Sequence, residues 1–413
     1  MRKIFILFSA SFLATHAASA QQQQGIQNLT PAQQLIANTG EDSLNSYSHG
    51  SRTVISGYGE AFYQRNFNEQ TATTGLARAV LFVGHQFNHK IAFFSELEVE
   101  NAKVQAGGTT GEVGMEQAYL KFSFNPRQYL VAGLFVPRIG ITNENHLPIN
   151  YNGVERPMVE QLIIPTTWRE IGVCFYGQSS ALPVTYTIGI VNGLNNAGFE
   201  HGSGFEGGRA EGQNANANNV AILASAQYYA GNWKFQASGY MGGTTPLKKA
   251  IADTLGLTSG TFSNPLYLGE ADVQYSNKGI SFKALYCVVS IPDAYQINNA
   301  YASNKPSGMT GFYAELGYNI LQNAGGKWKH KQLVAFGRYE SLDMNAYIPS
   351  NGITDGTLKQ THIVAGFSYL PIPNVVIKTD VRLVNTGAAN PLLTTIPYQQ
   401  NNSFLNFGIG YSF

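Results

Sequence analysis

Leu405-Asn406-Phe407-Gly408-Ile409-Gly410-Tyr411-Ser412-Phe413 closes the chain. Side chains alternate between the two faces of a strand, so Leu405, Phe407, Ile409, Tyr411 and Phe413 share one face. Asn406, Gly408, Gly410 and Ser412 share the other. An apolar face backed by a small or polar one, ending in Phe, is the pattern of the last strand of a β-barrel whose outer solvent is lipid.

The beginning of the sequence agrees with that reading. Arg2 and Lys3 precede a short apolar run at residues 4–13, and Ala18-Ser19-Ala20 has the small-x-small form of a cleavage site. Residues 1–20 are expected to be an export signal. Residues 21–50 begin with a Gln run and contain Thr30-Pro31, a possible helix start. They are expected to be a periplasmic segment, with the barrel over 51–413. No later stretch approaches the roughly 18 apolar residues that a membrane helix requires.

Composition points the same way. Charged residues are 12% of the chain, about half the roughly 25% of ordinary globular domains. There are 44 Gly, 23 Tyr and 24 Phe, suited to a crowded curved sheet and to aromatic girdles. The formal net charge of +1 offers no electrostatic case for nucleic acid. Cys174 and Cys287 are expected to be unpaired structural thiols, because they fall on strands about five apart.

From about Val54 onward the period is two. Ile91, Phe93, Leu97 and Val99 alternate with Glu96, Glu98 and Glu100, and acids repeating at that interval cannot face lipid. Val375, Ile377, Val381 and Leu383 oppose Lys378, Asp380 and Arg382. About sixteen such segments can be counted, including one beginning at 166 and one at 330–342. Tight connections such as Asn88-His89-Lys90 and Asn277-Lys278-Gly279 alternate with longer ones at 195–218, 243–265, 291–308 and 387–401. That asymmetry is the barrel's. The expected fold is an all-β transmembrane antiparallel barrel of about 16 strands. Its lumen-facing charges are expected to include Glu96, Glu98, Lys121, Lys283, Lys378, Asp380 and Arg382. Arg78, Lys234 and Arg338 join them, with Glu60, Glu270, Asp272, Glu315 and Glu340.

Residues 137–165 form the third long connection, and a loop of that length is usually functional. It mixes Ile139, Ile141, Ile163 and Ile164 with paired charges, and Trp168 follows it. A solvated outer loop does not need those apolar residues; a loop folded into the lumen does. Phe135-Val136-Pro137-Arg138-Ile139-Gly140, the loop itself and Thr167-Trp168-Arg169-Glu170-Ile171-Gly172 resemble the phosphate-selective porin O and P superfamily. The resemblance is carried by residues 129–177. It implies a sixteen-stranded, trimeric outer-membrane channel for anions, with the loop as its constriction.

Arg138, Glu144, His146, Glu155, Arg156 and Arg169 are the constriction candidates. A guanidinium can grip an anion bidentately. The structural alternative pairs Arg138, Arg156 and Arg169 with the nearby Glu144, Glu155, Glu160 and Glu170, holding the loop to the wall. The lumenal charges balance in sign, whereas selectivity for phosphate calls for a ladder of one sign. No cofactor or metal is expected. His201 in the Gly/Asn-rich 195–218 loop lacks metal-ligand spacing, and that loop is expected to be solvated. Trp168, Trp233 and the tyrosines are expected to be girdle or wall residues. No G-x-S-x-G or H-E-x-x-H occurs, so catalysis is not expected. The expected function is passive diffusion of small hydrophilic solutes across the outer membrane by a lipid-embedded homotrimer. The alternative is a plugged barrel serving as receptor, adhesin or structural protein.

Overall fold

Strands that are oily on one face and polar on the other can satisfy every backbone group in lipid only by closing on themselves. The computed structural model, which describes residues 52–102, 111–393 and 399–413, has this closure. Both the expected leader, 1–20, and the expected periplasmic segment, 21–50, lie outside the described residues.

Sixteen antiparallel strands pair in chain order, and β1 pairs with β16 to complete the ring. They are β1 (Arg52–Asn66), β2 (Thr71–Gln86), β3 (Ile91–Glu100), β4 (Val113–Asn125), β5 (Gln128–Phe135), β6 (Glu170–Gln178), β7 (Val184–Asn192) and β8 (Val220–Ala230). There follow β9 (Trp233–Gly242), β10 (Leu266–Asn277), β11 (Ile280–Ser290), β12 (Gly308–Asn319), β13 (Gln332–Tyr347), β14 (Lys359–Ile372), β15 (Val375–Thr386) and β16 (Asn401–Ser412). The seam runs from Tyr58 opposite Ser412 to Asn66 opposite Phe404. Phe413 finishes it, its N–H donating to the Gly57 carbonyl at 2.9 Å and its carbonyl accepting from the Gly57 N–H at 3.1 Å.

The two faces sort as the alternation requires. On β16, Phe407, Ile409 and Tyr411 are exposed, while Asn406 and Ser412 are buried inside. Ile188, Ile190, Leu316, Ile363, Ile377 and Leu383 continue the outer apolar surface around the ring. A band of this kind is stable only against lipid or another apolar wall. Trp233 lies on this outer side against Tyr275, 4.6 Å between ring centroids.

Three differences from the sequence reading have physical causes. First, β6 begins at Glu170 instead of 166, because residues 163–168 are drawn into the lumenal core, where Trp168 is fully buried. Trp168 is therefore neither a girdle residue nor part of the strand wall. Second, β13 runs on to Tyr347, beyond 342, because Leu342 and Met344 pack inward against the same core. Third, the 195–218 segment is not a solvated loop. Asn196, Phe199 and Phe205 are buried, and His201 is held by the Asn304 carbonyl and the Asp355 carboxylate. Cys174 on β6 and Cys287 on β11 are both free and buried.

Candidate constriction site in the lumen

Residues 136–169 leave β5, run inside the barrel and return to β6. Along this path Val136, Ile139, Leu147, Val159, Ile163 and Ile164 are buried. The loop carries a 3-10 turn at Pro148–Asn150 and a short α-helix, α1 (Met158–Leu162), preceded by Pro157, whose missing N–H costs nothing at a helix start.

Glycine on the wall makes room for it. A Cβ at Gly410 would stand 2.5 Å from Pro148, and one at Gly408 would stand 3.1 Å from Val154. Gly311 on β12 is similar: its Cβ would lie 2.6 Å from Ile163 and 2.7 Å from Val159. The small face of the closing strand is thus a seat for the loop.

Wall and loop side chains satisfy the loop's backbone. Glu160 of α1 accepts the N–H groups of Ile141 (2.9 Å) and Thr142 (2.7 Å) and the hydroxyl of Tyr313 on β12 (2.7 Å). Burial raises its carboxyl pKa, and the Thr142 N–H opposes that only in part. Asp380 on β15 accepts the Val154 N–H at 2.7 Å, and Glu340 on β13 accepts that of Val159 at 3.2 Å. Arg338, paired with Glu315 and Glu340, donates to the Asn152 and Glu155 carbonyls at 3.1 and 3.2 Å. Lys283 reaches the Asn150 carbonyl at 3.0 Å. Leaving such buried groups unpaired would cost about 1–3 kcal/mol each, so these charges act first as loop anchors.

A cavity of about 170 Å³ remains between the loop and the wall formed by β1, β2, β15 and β16. Glu60, Arg78, Tyr151, Glu155, Arg156 and Lys378 give it polar lining. Arg78 pairs with Glu60 at 2.8 Å and Glu98 at 3.4 Å. Glu155 pairs with Arg382 and accepts from Gln64 at 3.2 Å. Lys378 stands over the Tyr151 ring, 3.5 Å from its centroid. Among the described residues, the buried Nε and Nη2 of Arg156 and Nζ of Lys378 have no hydrogen-bond partner.

Of the six constriction candidates, Glu155 and Arg156 line this cavity. Arg138 and Glu144 instead form a bidentate pair at 2.7 and 3.0 Å, with Arg138 over the Tyr176 ring. Burial alone would raise the Glu144 pKa, but the Arg138 guanidinium lowers it overall. Arg169 binds Glu211 at 2.6 Å, tying the loop's exit to residues 193–219. The expected pairing with neighbours in sequence therefore holds for Arg138 and fails for Arg169 and Glu155. Glu170 accepts from the Trp168 indole at 2.8 Å. Of the lumen candidates, Glu96, Glu98, Lys121, Lys378, Asp380 and Arg382 are buried, with Lys121 over the Tyr129 ring at 4.4 Å.

His146 has a different setting. Its Nδ1 lies 2.8 Å from the Asn143 carbonyl, and its Nε2 lies 3.5 Å from Glu116 and 3.8 Å from Glu96. Burial alone would lower the imidazole pKa; the Glu116 carboxylate, and then Glu96, outweigh it, so the pKa is raised. Sequence reasoning missed Glu116. By strict alternation it shares the face of Ala118 and Leu120, but a register shift on the β3–β4 ladder at Glu96/Leu97 turns it inward, fully buried. Nothing in the local sequence other than an acid on an apolar face marks it.

No protein-family model matches the chain. An uncharacterized protein of Aquifex aeolicus is 30% identical over 357 residues, spanning 83% of this chain and 78% of that one. Among solved structures, the anion-selective porin of Comamonas acidovorans matches with a TM-score of 0.54 at 10% identity, covering 88% of this chain and 100% of the other. The trimer form of OmpT, an outer membrane protein of Vibrio cholerae, matches with a TM-score of 0.51 at 12% identity over 88% and 100%. At such identities the likeness is one of fold, and that fold is the porin barrel.

Proposed function

We propose that this chain, which belongs to one family with the Aquifex aeolicus protein, is an outer-membrane porin through which small hydrophilic solutes diffuse passively. The observation that carries the reading is the charged cavity beside the anchored lumenal loop, inside a ring whose outer face is oily. Export by a cleaved leader at residues 1–20, a homotrimer and the absence of catalysis belong to the same proposal. The trimer is supported by the exposed apolar wall and by the trimeric form of the Vibrio protein.

Anions are the favoured solutes. Arg156 and Lys378 carry buried donor atoms without hydrogen-bond partners among the described residues, whereas Glu60 and Glu155 are already paired with Arg78 and Arg382. A passing carboxylate or phosphate would satisfy those donors, in keeping with the resemblance of residues 129–177 to phosphate-selective porins. The plugged-barrel reading has its own support: outer segments interlock, with Lys305 donating to the Asn196 carbonyl at 2.6 Å and Asn196 to Thr245 at 2.8 Å.

Reversal potentials across a planar bilayer under a salt gradient test both. The expected result is a steady current favouring the anion, with the preference lost or inverted in an Arg156→Glu, Lys378→Glu double variant. An absence of current favours the plugged barrel. A cation-selective current removes the anion assignment and keeps the pore.

A further inference from the structure

We propose that Glu96, Glu116 and His146 form a binding site for one divalent transition-metal ion, which clips the lumenal loop to the barrel wall. The three residues come from β3, β4 and the loop, and one ligand atom from each lies within 4.8 Å of the others. All three are buried. A tetrahedral ion with ligands at about 2.0–2.1 Å places neighbouring ligand atoms about 3.4 Å apart. The His146 Nε2 stands 3.5 Å from Glu116 and 3.8 Å from Glu96, so shifts of a few tenths of an ångström would close those two edges.

Among the described residues, Nε2 of His146 has no hydrogen-bond partner although it is buried and lies near the two carboxylates. Nδ1 is committed to the Asn143 carbonyl, which leaves Nε2 as the ligating nitrogen, the arrangement that outer-shell partners impose on metal-bound histidines. Asn143 is itself fixed, donating to the Pro137 carbonyl and accepting from the Trp168 N–H. Glu116 accepts from the hydroxyls of Tyr58 at 2.9 Å and Thr167 at 2.6 Å, and Glu96 from Gln117 at 2.8 Å. The other Glu96 oxygen, Oε1, is buried with no hydrogen-bond partner among the described residues, while both carboxylates are held in place by these neighbours.

The donor set suits a dication: two carboxylate groups and one imidazole nitrogen offer ligand atoms within 4.8 Å of one another, and two carboxylates balance the charge of one divalent ion. The imidazole nitrogen favours zinc, cobalt or a similar ion over calcium or magnesium. A water could fill the remaining position.

Cobalt absorption tests this without any use of ion conduction. Untagged protein is refolded into detergent with Co²⁺, dialysed, and measured for metal content and visible ligand-field bands. The expected result is about one tightly held Co²⁺ per chain, with affinity falling at least about tenfold in His146→Ala and in Glu116→Gln, on the scale of disrupting a metal's supporting shell. His201→Ala, in the outer segment, serves as the unchanged control. Circular dichroism establishes that each variant has folded. A folded wild-type barrel without stoichiometric Co²⁺, or one whose bands persist in His146→Ala, overturns the proposal.

Discussion

Residues 136–169 and residues 193–219 both fold over the lumen, yet they are held by different means. The first hangs from the wall: Glu340 and Asp380 take its N–H groups, Lys283 and Arg338 take its carbonyls, and Gly311, Gly408 and Gly410 leave it space. The second is held mainly by its neighbours. Asn219 bridges the carbonyls of Leu194 and Gly243, and Asn196 contacts Thr244 and Thr245. A loop tied to strands shares the barrel's stability. A loop tied to other loops can open with them, at a lower free energy.

The contrast can be broken hardest at Glu160. Its replacement by Ala removes the acceptor for two loop N–H groups and for Tyr313. The opening free energy of residues 141–163, read by hydrogen exchange, is expected to fall by about 3 kcal/mol or more. Gly311→Leu comes next. It drives a side chain into Ile163 and Val159, and overpacking of this kind costs about 1–3 kcal/mol. The same variant is expected to push α1 off β12 into the lumen, seen as a lowered single-channel conductance. Asn219→Ala is expected to cost about 1–2 kcal/mol, confined to exchange near residues 194 and 243. Unchanged conductance in that variant would sharpen the distinction; a changed one would blur it.

The smallest effect is a pH dependence in the outer segments. Burial would raise the Asp355 carboxyl, but hydrogen bonds from Thr357, and then His201, hold it below its usual value. A carboxyl whose pKa is lower folded than unfolded contributes stability above its unfolded pKa, and loses it as pH falls through the folded value. Protection at residues 355–357 is therefore expected to weaken in acid below about pH 4. Asp355→Asn should abolish that dependence, and an identical acid profile in the variant would count against the local origin.

How far the sequence speaks follows the same divide. Strand faces were legible because lipid punishes a misplaced charge, so Glu96, Glu98, Lys378 and Asp380 could be assigned inward from alternation alone. Ile163 and Ile164 betray the lumenal loop, since nothing outside would bury them, whereas Trp168 reads equally well as a girdle residue. Partners were less legible. Arg169 meets Glu211 and Glu155 meets Arg382, choices made by barrel closure, which no nearby spacing reports. Glu116 was hidden by one extra residue in a ladder. The 195–218 segment reads as solvated because Gly and Asn bury their backbone through mutual hydrogen bonds, which leave no apolar periodicity behind.

Single-channel conductance of the purified protein, with and without residues 143–160, tests the central claim most directly. A loop that narrows an open bore predicts a measurable current in the intact chain and a several-fold larger one after the deletion. Equal conductances from two folded barrels, or silence from both, would contradict it.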